Sequence, residues 1–272
     1  MQGRLSPIVN GRIQAFPWAG WQEEFRIAQE LGFGLMEWTL DHEERYANPL
    51  LNPEGQFQIR MLCKTREMKI LSLTGDCFMQ NPFWKAQDEE SKSLISDFRT
   101  IVEGCANVGI QMIVMPLVDN GRLENQAQEN ALVNILKEEA TLLSKLNIKV
   151  IFESDFGPMQ LAQFIARFDP MLFGINYDIG NSASMGFDPA KEIAAYGDRI
   201  LNVHVKDRLR AGTTVPLGTG NADFDAVFNA LSRAGYVGKY ILQTARAADG
   251  QHADVLCRYR DMTSTWLRRY GV

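Results

Sequence analysis

The 272-residue sequence predicts a single α/β domain folded as a closed (β/α)8 barrel, the TIM-barrel architecture. Short strand-like runs alternate with segments of helical length along the chain, so neighbouring strands should be parallel and covered by helices. Barrels of this type commonly contain about 250 residues, so residues 1–272 fit one domain. A doubly wound sheet is the competing fold, but no Gly-rich nucleotide turn follows the first strand.

The strand and helix signals recur in a regular order. The first predicted helix carries Phe25, Ala28 and Leu31 at helical spacing and stops at Gly32, a typical C-terminal cap residue, as Gly109 is later in the chain. The eight predicted strands are 3–6, 33–38, 69–74, 112–116, 149–153, 173–178, 202–206 and 240–243. The predicted helices are 18–31, 56–67, 90–108, 124–146, 159–168, 189–196, 224–234 and 254–270.

Composition excludes several classes of protein. The hydrophobic fraction of 46% is ordinary for a globular domain, and a net charge of −5 provides no electrostatic reason to expect nucleic acid or membrane as a partner. The four cysteines are widely spaced, which indicates reduced thiols and no disulfide framework. No apolar run is long enough to span a bilayer, and the first residues lack the apolar core of a signal peptide. We therefore expect a cytoplasmic protein that can form a homo-oligomer.

Four predicted strands in the second half of the chain end on a polar residue with metal-ligand or acid/base chemistry. These residues are Glu153, Asp178, His204 and Gln243. Period-2 alternation places them on the face opposite to the apolar residues of each strand. Because the carboxyl ends of parallel strands meet at one end of a barrel, the four side chains should converge there. This arrangement predicts a metal-assisted enzyme site.

Longer stretches around these residues resemble the sugar phosphate isomerase/epimerase family of xylose isomerase-like barrels. The similar stretches are 2–6, 31–37, Glu153, 177–181, 202–207 and 216–224. The resemblance implies an enzyme that moves protons next to a sugar carbonyl and binds one divalent cation through a Glu, an Asp, a His and a second Glu. Carried onto this sequence, the ligands are Glu153, Asp178 and His204, with Gln243 at the fourth position. Mn²⁺, Mg²⁺, Co²⁺ and Zn²⁺ all suit such ligands.

Gln243 departs from the family pattern. The resemblance implies two glutamates on opposite sides of the substrate carbon, one removing a proton and the other returning one. An amide oxygen can coordinate a metal, but an amide cannot act as a base. Symmetric two-base epimerisation is therefore in doubt, whereas aldose–ketose isomerisation with Glu153 as the base is less affected.

Three further polar residues are candidates near the predicted site. Glu37 ends the second predicted strand on its inward side, where it binds a sugar hydroxyl, replaces the missing base, or only pairs with an arginine. Lys206 shares the inward face of its strand with Asn202 and His204, and can stabilise a developing enediolate oxygen. Asn181 stands where relatives often carry a substrate-binding histidine, but asparagine is also a common turn residue.

A grip on a substrate phosphate or carboxylate is predicted near the last two strands, because barrel phosphate sites often use those loops. The candidate residues are Arg208, Arg246, Gly218 and Gly220. For the two glycines, the competing interpretation is a turn that only needs their backbone freedom.

Three functions compete. The first is a metal-dependent isomerase or epimerase of a small sugar, sugar phosphate or sugar derivative. The second is a metal-dependent phosphodiesterase of the apurinic endonuclease type, which needs a histidine-rich metal cluster; a chain with three histidines and an acidic balance argues against it. The third is a non-catalytic sugar-binding barrel, which is suggested by Gln243.

Overall fold

The computed structural model describes residues 1–9 and 11–272, and it confirms the α/β barrel. Seven parallel strands pair in the order β1-β2-β3-β4-β5-β6-β9. A separate antiparallel pair, β7 with β8, follows β6. The strands are β1 (Leu35–Thr39), β2 (Lys69–Thr74), β3 (Met112–Leu117), β4 (Lys149–Ser154), β5 (Phe173–Asp178), β6 (Ile200–Val205), β7 (Asp207–Arg208), β8 (Thr214–Val215) and β9 (Lys239–Leu242).

The N-terminal residues close the ring between β9 and β1. The Gln2 amide donates to the Leu242 carbonyl at 3.1 Å, and the Glu37 amide donates to the Met1 carbonyl at 2.8 Å. Gln2 and Glu37 form a parallel bridge, so Gln2 occupies the eighth strand position. The prediction of a first strand at 3–6 is wrong, because Gly3 has a φ of +38° and turns the chain out of the extended conformation. Predicted strands five to eight are therefore β4, β5, β6 and β9.

Eleven α-helices are present in the described residues. They are α1 (Trp21–Glu30), α2 (Pro53–Thr65), α3 (Asp76–Gln80), α4 (Asp88–Val108), α5 (Gln126–Glu138), α6 (Ala140–Leu146), α7 (Pro158–Ile165), α8 (Ile179–Met185), α9 (Pro189–Tyr196), α10 (Phe224–Arg233) and α11 (His252–Tyr270). Within the described part of the chain, no helix combines the length and apolar character that a bilayer crossing requires.

Two differences from the predicted helices are informative. The single helix predicted at 124–146 is divided into α5 and α6 at Glu139, a buried residue whose carboxylate accepts a 2.6 Å hydrogen bond from Arg99. The short helices α3 and α8 were not predicted, and both lie directly after barrel strands, at the mouth where the polar strand ends converge. The predicted glycine stop at Gly109 is confirmed, with a left-handed φ of +86°.

A cluster of phenylalanines packs the outer face of β4 against the helix layer. The Phe152 ring centroid lies 5.1 Å from that of Phe164, 5.0 Å from that of Phe168 and 6.2 Å from that of Phe173. All four side chains are buried. Because successive residues of a strand face opposite sides, burying Phe152 outward directs the next residue, Glu153, into the barrel.

Phe152→Ala should lower the free energy of unfolding by about 3–5 kcal/mol, since it removes a fully buried ring and leaves a cavity. The matched control is Phe57→Ala, because the Phe57 side chain in α2 is 57% exposed, and its cost should stay within about 0.5 kcal/mol. Urea denaturation of both variants provides the measurement. Equal losses would contradict the role given to the Phe152 cluster.

Candidate active site

The polar ends of the second-half strands meet at a cavity in the carboxyl-terminal mouth of the barrel. The cavity has a volume of about 350 Å³. Its wall includes Glu153 at the end of β4, Lys206 just after β6 and Gln243 just after β9. The N-terminal segment contributes Gln14, and the loop after β2 contributes Asp76. The convergence predicted from strand periodicity is therefore present.

Glu153, Asp178 and His204 form a compact buried group beside this cavity. One ligand atom from each lies within 4.8 Å of those from the other two. His204 Nδ1 is 3.2 Å from Glu153 Oε2 and 3.9 Å from Asp178 Oδ2. Two carboxylates and one imidazole suit a divalent ion such as Zn²⁺ or Mn²⁺. These three side chains can hold one divalent cation.

Glu37 lies on the other side of the His204 ring. Its Oε1 atom is 2.8 Å from His204 Nε2, and its carboxylate also accepts hydrogen bonds from Ser72 at 2.5 Å and Thr74 at 2.6 Å. A carboxylate behind a ligating histidine fixes the ring and leaves the other nitrogen for a metal. Glu37 does not border the cavity, and both of its oxygens are engaged by neighbouring side chains. These contacts favour a role in positioning His204 over contact with a sugar.

The buried charges shift one another's pKa values. Burial would lower the pKa of His204, but Glu37 and Glu153 outweigh it and raise that pKa to about 10. Burial would raise the pKa of Glu153, yet His204 and Lys206 hold it below its usual value. Burial raises the pKa of Asp178, although Lys206 opposes this shift. The carboxylates therefore stabilise a positive charge at His204. The same negative charges would stabilise a divalent cation bound at Nδ1.

Lys206 and Gln243 contact each other directly. The Lys206 ammonium donates to Gln243 Oε1 at 2.8 Å and to Asp178 Oδ2 at 3.3 Å. The Gln243 carbonyl oxygen therefore faces a cation beside the three-residue group. A neutral amide fits this position, since it accepts the ammonium hydrogen bond without adding a further buried negative charge.

Asn176, which was not among the residues predicted from the sequence, supports the carboxylate of Glu153. Its Nδ2 atom donates to Glu153 Oε2 at 2.8 Å and lies 3.1 Å from His204 Nδ1. Asn202 donates to Asn176 Oδ1 at 2.8 Å, which orients the amide. Strand alternation does indicate this residue, because Asn176 lies two residues before Asp178 and therefore on the same inward face of β5.

Asn181 and Arg208 form a chain of hydrogen bonds that ends on Glu153. Asn181 donates to Glu153 Oε1 at 2.6 Å, and Arg208 Nη1 donates to Asn181 Oδ1 at 2.7 Å. Both residues border the cavity. The other hydrogen bonds of Arg208 go to the Gly212 carbonyl, and no carboxylate of the described residues forms a salt bridge with it. Arg208 therefore places a positive charge at the cavity wall whose hydrogen-bond partners are all neutral.

The remaining predicted anion-binding residues lie elsewhere. Arg246 donates to the backbone carbonyls of Gly3, Ser6 and Ile13 and holds the N-terminal segment in place. The amides of Gly218 and Gly220 donate to the buried Asp207 carboxylate at 2.9 and 2.8 Å. None of these three residues borders the cavity. The predicted grip by Arg246, Gly218 and Gly220 is corrected, since their donors are already used within the protein.

Asp76 is a second cavity carboxyl that the sequence did not indicate. It begins α3, is buried, and accepts a 2.6 Å hydrogen bond from Gln14 Nε2 to its Oδ2 atom. Burial, followed by the charge of Asp41, raises the pKa of Asp76 to about 7, with Glu153 adding to the shift. Asp76 lies beyond the end of β2, at the start of the short helix α3, whose position at the cavity depends on tertiary packing.

Sequence and structure comparisons identify proteins that are similar over most of the chain. The chain is 24% identical over 261 residues to the L-ribulose-5-phosphate 3-epimerase UlaE of Escherichia coli (strain SE11), covering 93% of this chain and 92% of that protein. The zinc-bound IOLI protein has a similar fold, with a TM-score of 0.75, 17% identity and coverage of 92% and 94%. The D-allulose 3-epimerase from Methylomonas sp., solved with D-allulose, has a TM-score of 0.73, 16% identity and coverage of 92% of each chain.

The family model described as xylose isomerase-like TIM barrel matches residues 25–260, which is most of the chain. The match includes β1 to β6 and β9 together with the three-residue group at the barrel mouth. The protein therefore belongs to the xylose isomerase-like TIM barrel family.

Proposed function

We propose that this protein is a metal-dependent epimerase or isomerase of a small sugar or sugar phosphate. The observation that carries the proposal is the buried group of Glu153, Asp178 and His204, with one ligand atom from each within 4.8 Å of the others. Similar proteins support the class of reaction, because their names describe 3-epimerases of ribulose 5-phosphate and allulose. The cavity volume of about 350 Å³ falls in the range of small-molecule sites.

A divalent cation held by these three residues would polarise the sugar carbonyl and so acidify the neighbouring C–H bond. The chain's own residues supply the proton transfer. Glu153 borders the cavity and stays ionised, because His204 and Lys206 lower its pKa, so it acts as the base. Asn176 and Asn181 each donate to one of its oxygens, which orients the carboxylate. Lys206 lies on the cavity wall and stabilises the developing enediolate oxygen.

Arg208 favours substrates that carry an anionic group. Its guanidinium borders the cavity and forms its hydrogen bonds with Asn181 and a backbone carbonyl, both neutral partners. Guanidinium groups pair well with phosphate and carboxylate. A sugar phosphate could then place its phosphate at Arg208 and its carbonyl end beside Glu153.

A non-catalytic sugar-binding barrel is the second candidate, and Gln243 is the observation that favours it. The amide cannot act as a base, and its oxygen is engaged by Lys206. Binding without turnover would therefore use the same cavity but leave the substrate carbon unchanged.

Solvent exchange tests the proposed function. Wild-type protein with Mn²⁺ in D₂O should incorporate deuterium next to the carbonyl of L-ribulose 5-phosphate, D-tagatose or D-allulose, as detected by NMR. Glu153→Gln should reduce this exchange by about 10²–10⁴-fold, since it removes the base. Glu89→Gln, the same change at an exposed position of α4, should leave the rate unchanged. Binding of a sugar without exchange would support the non-catalytic candidate.

Metal binding provides a separate test. His204→Ala should abolish the tight Mn²⁺ site measured by calorimetry, and Glu37→Gln should weaken it by about 10–100-fold, because the ring loses its orienting carboxylate. His42→Ala is the control, since His42 lies outside the site. If His204→Ala binds Mn²⁺ as tightly as wild type, the metal site has been misplaced.

Gln243→Glu tests the residue that departs from the family. A charged oxygen coordinates a dication better than an amide does, so Mn²⁺ affinity should rise roughly tenfold. If the substitution also accelerates epimerisation, the present residue marks a change away from chemistry with two glutamates. Unchanged affinity and unchanged activity would show that residue 243 is not at the metal and acts only on Lys206.

A further inference from the structure

Asp76 and Glu153 are carboxyl groups on different walls of the same cavity. In the ring of eight strand positions closed by Gln2, β2 lies two positions from β4, so the two residues reach the cavity from different directions. Lys206 follows β6, four positions from β2, and thus lies across the mouth from Asp76. A small sugar in the cavity therefore lies between these walls.

The surroundings of Asp76 differ from those of a carboxylate with a structural role. Its only side-chain hydrogen-bond partner among the described residues is Gln14, a neutral amide that itself borders the cavity. No salt bridge joins Asp76 to a lysine or arginine in the described part of the chain. By contrast, the nearby Asp41 accepts hydrogen bonds from the Phe16 amide at 3.1 Å and from Gln80 at 2.9 Å, and it does not border the cavity.

We propose that Asp76 is the second acid/base catalyst of this enzyme, returning a proton to the substrate carbon after Glu153 has removed one. The inference depends on the proposed function and completes it. Two-base epimerisation needs a second titratable group on another side of the carbon, and the amide of Gln243 cannot supply it. Two other acids border the cavity, but Asp155 pairs with Arg122 in a salt bridge and Asp119 is exposed to solvent.

The charges around the two carboxyls suit these opposite roles. Burial raises the pKa of Asp76 most, and the charges of Asp41 after β1 and Glu153 on β4 raise it further. Gln14 and Lys206 lower it, and the resulting pKa is about 7. Arg4 from the N-terminal segment is the other nearby cation. Glu153 instead lies beside cationic side chains, because His204 Nδ1 is 3.2 Å from its Oε2 atom and Lys206 borders the same cavity. The two carboxyls therefore have different electrostatic surroundings, which suits an acid and a base on one cavity.

The proposed step is balanced in atoms and charge. Glu153 takes the proton from the carbon next to the carbonyl, and the C–H electron pair forms the C=C bond of an enediolate. The carbonyl π pair moves onto its oxygen, where Lys206 stabilises the charge. Asp76 then donates its proton to the other face of that carbon. The C=C electron pair forms the new C–H bond, and an electron pair of the enediolate oxygen re-forms the C=O bond. Glu153 finishes protonated and Asp76 ionised, and solvent in the cavity restores both; nothing is oxidised or reduced.

Asp76→Asn separates the two proton transfers. With Mn²⁺ and L-ribulose 5-phosphate, D-tagatose or D-allulose in D₂O, this variant should lose product formation by at least about 10²-fold. Deuterium should still enter the recovered substrate, because Glu153 exchanges its proton with solvent. Asp76→Glu keeps an acid and should recover part of the product formation. Thermal unfolding of both variants checks that they are folded, and Asp76→Ser replaces Asp76→Asn if that variant is not.

Asp41→Asn makes the same substitution at a neighbouring carboxylate. It tests the acid role of Asp76 through the pH dependence of product formation. Product formation by wild type should fall as the pH rises through about 7, because protonated Asp76 is the donor. Removing the Asp41 charge should move this fall to lower pH without reducing the maximal rate. An unmoved profile would overturn the role of Asp76 as the acid.

The outcomes distinguish this inference from the proposed function. Wild-type exchange together with undiminished product in Asp76→Asn overturns the role of Asp76 and leaves the enzyme class intact. Loss of exchange and product together in the folded variant also overturns it, since Asp76 would then act in the first proton transfer or only in binding. Wild-type protein that shows no exchange with any of the three sugars overturns both proposals.

Discussion

The centre of the barrel depends on the pairing of His204 with two buried carboxylates. Its Nε2 atom lies 2.8 Å from Glu37 and its Nδ1 atom 3.2 Å from Glu153, and all three side chains are almost completely removed from water. An ionised carboxylate in such surroundings is very unfavourable unless it is paired and hydrogen-bonded. Positive charge between Glu37 and Glu153, such as a proton on the His204 ring, therefore stabilises this buried group.

The neighbouring polar residues have a common task, which is to satisfy the remaining oxygens of those carboxylates. Ser72 and Thr74 donate to Glu37, whereas Asn176 and Asn181 donate to Glu153. They come from β2, β5 and α8, so three separate segments of the barrel contribute to one network. Groups held by several donors need little reorganisation when charge develops on a substrate, which is the condition for electrostatic catalysis.

Within this frame, the identity of residue 243 determines how charge is distributed over the cavity. With an amide there, the wall that carries Lys206 retains an ammonium group bonded to Asp178 and Gln243. The wall formed by the start of α3 carries the buried carboxyl of Asp76. The ammonium group of Lys206 and the carboxyl group of Asp76 thus lie on different walls of the cavity. Relatives with similar folds are named as epimerases, and the acid/base roles proposed above would reconcile that similarity with an amide at position 243.

The sequence by itself determined the fold class and the group formed by Glu153, Asp178 and His204. Strand alternation is local, so a polar residue at the end of an apolar run has its face decided by its neighbours, and parallel strands bring such ends together. Tertiary structure alone decided that Glu37 lies behind His204 and that Asp76 accepts a hydrogen bond from Gln14 at the cavity. It also decided that the Asp207 carboxylate accepts hydrogen bonds from the amides of Gly218 and Gly220. It also decided that Gln2 closes the ring in place of a full strand. These contacts join residues distant in the chain or in irregular loops, where no periodicity records which donor will reach which acceptor.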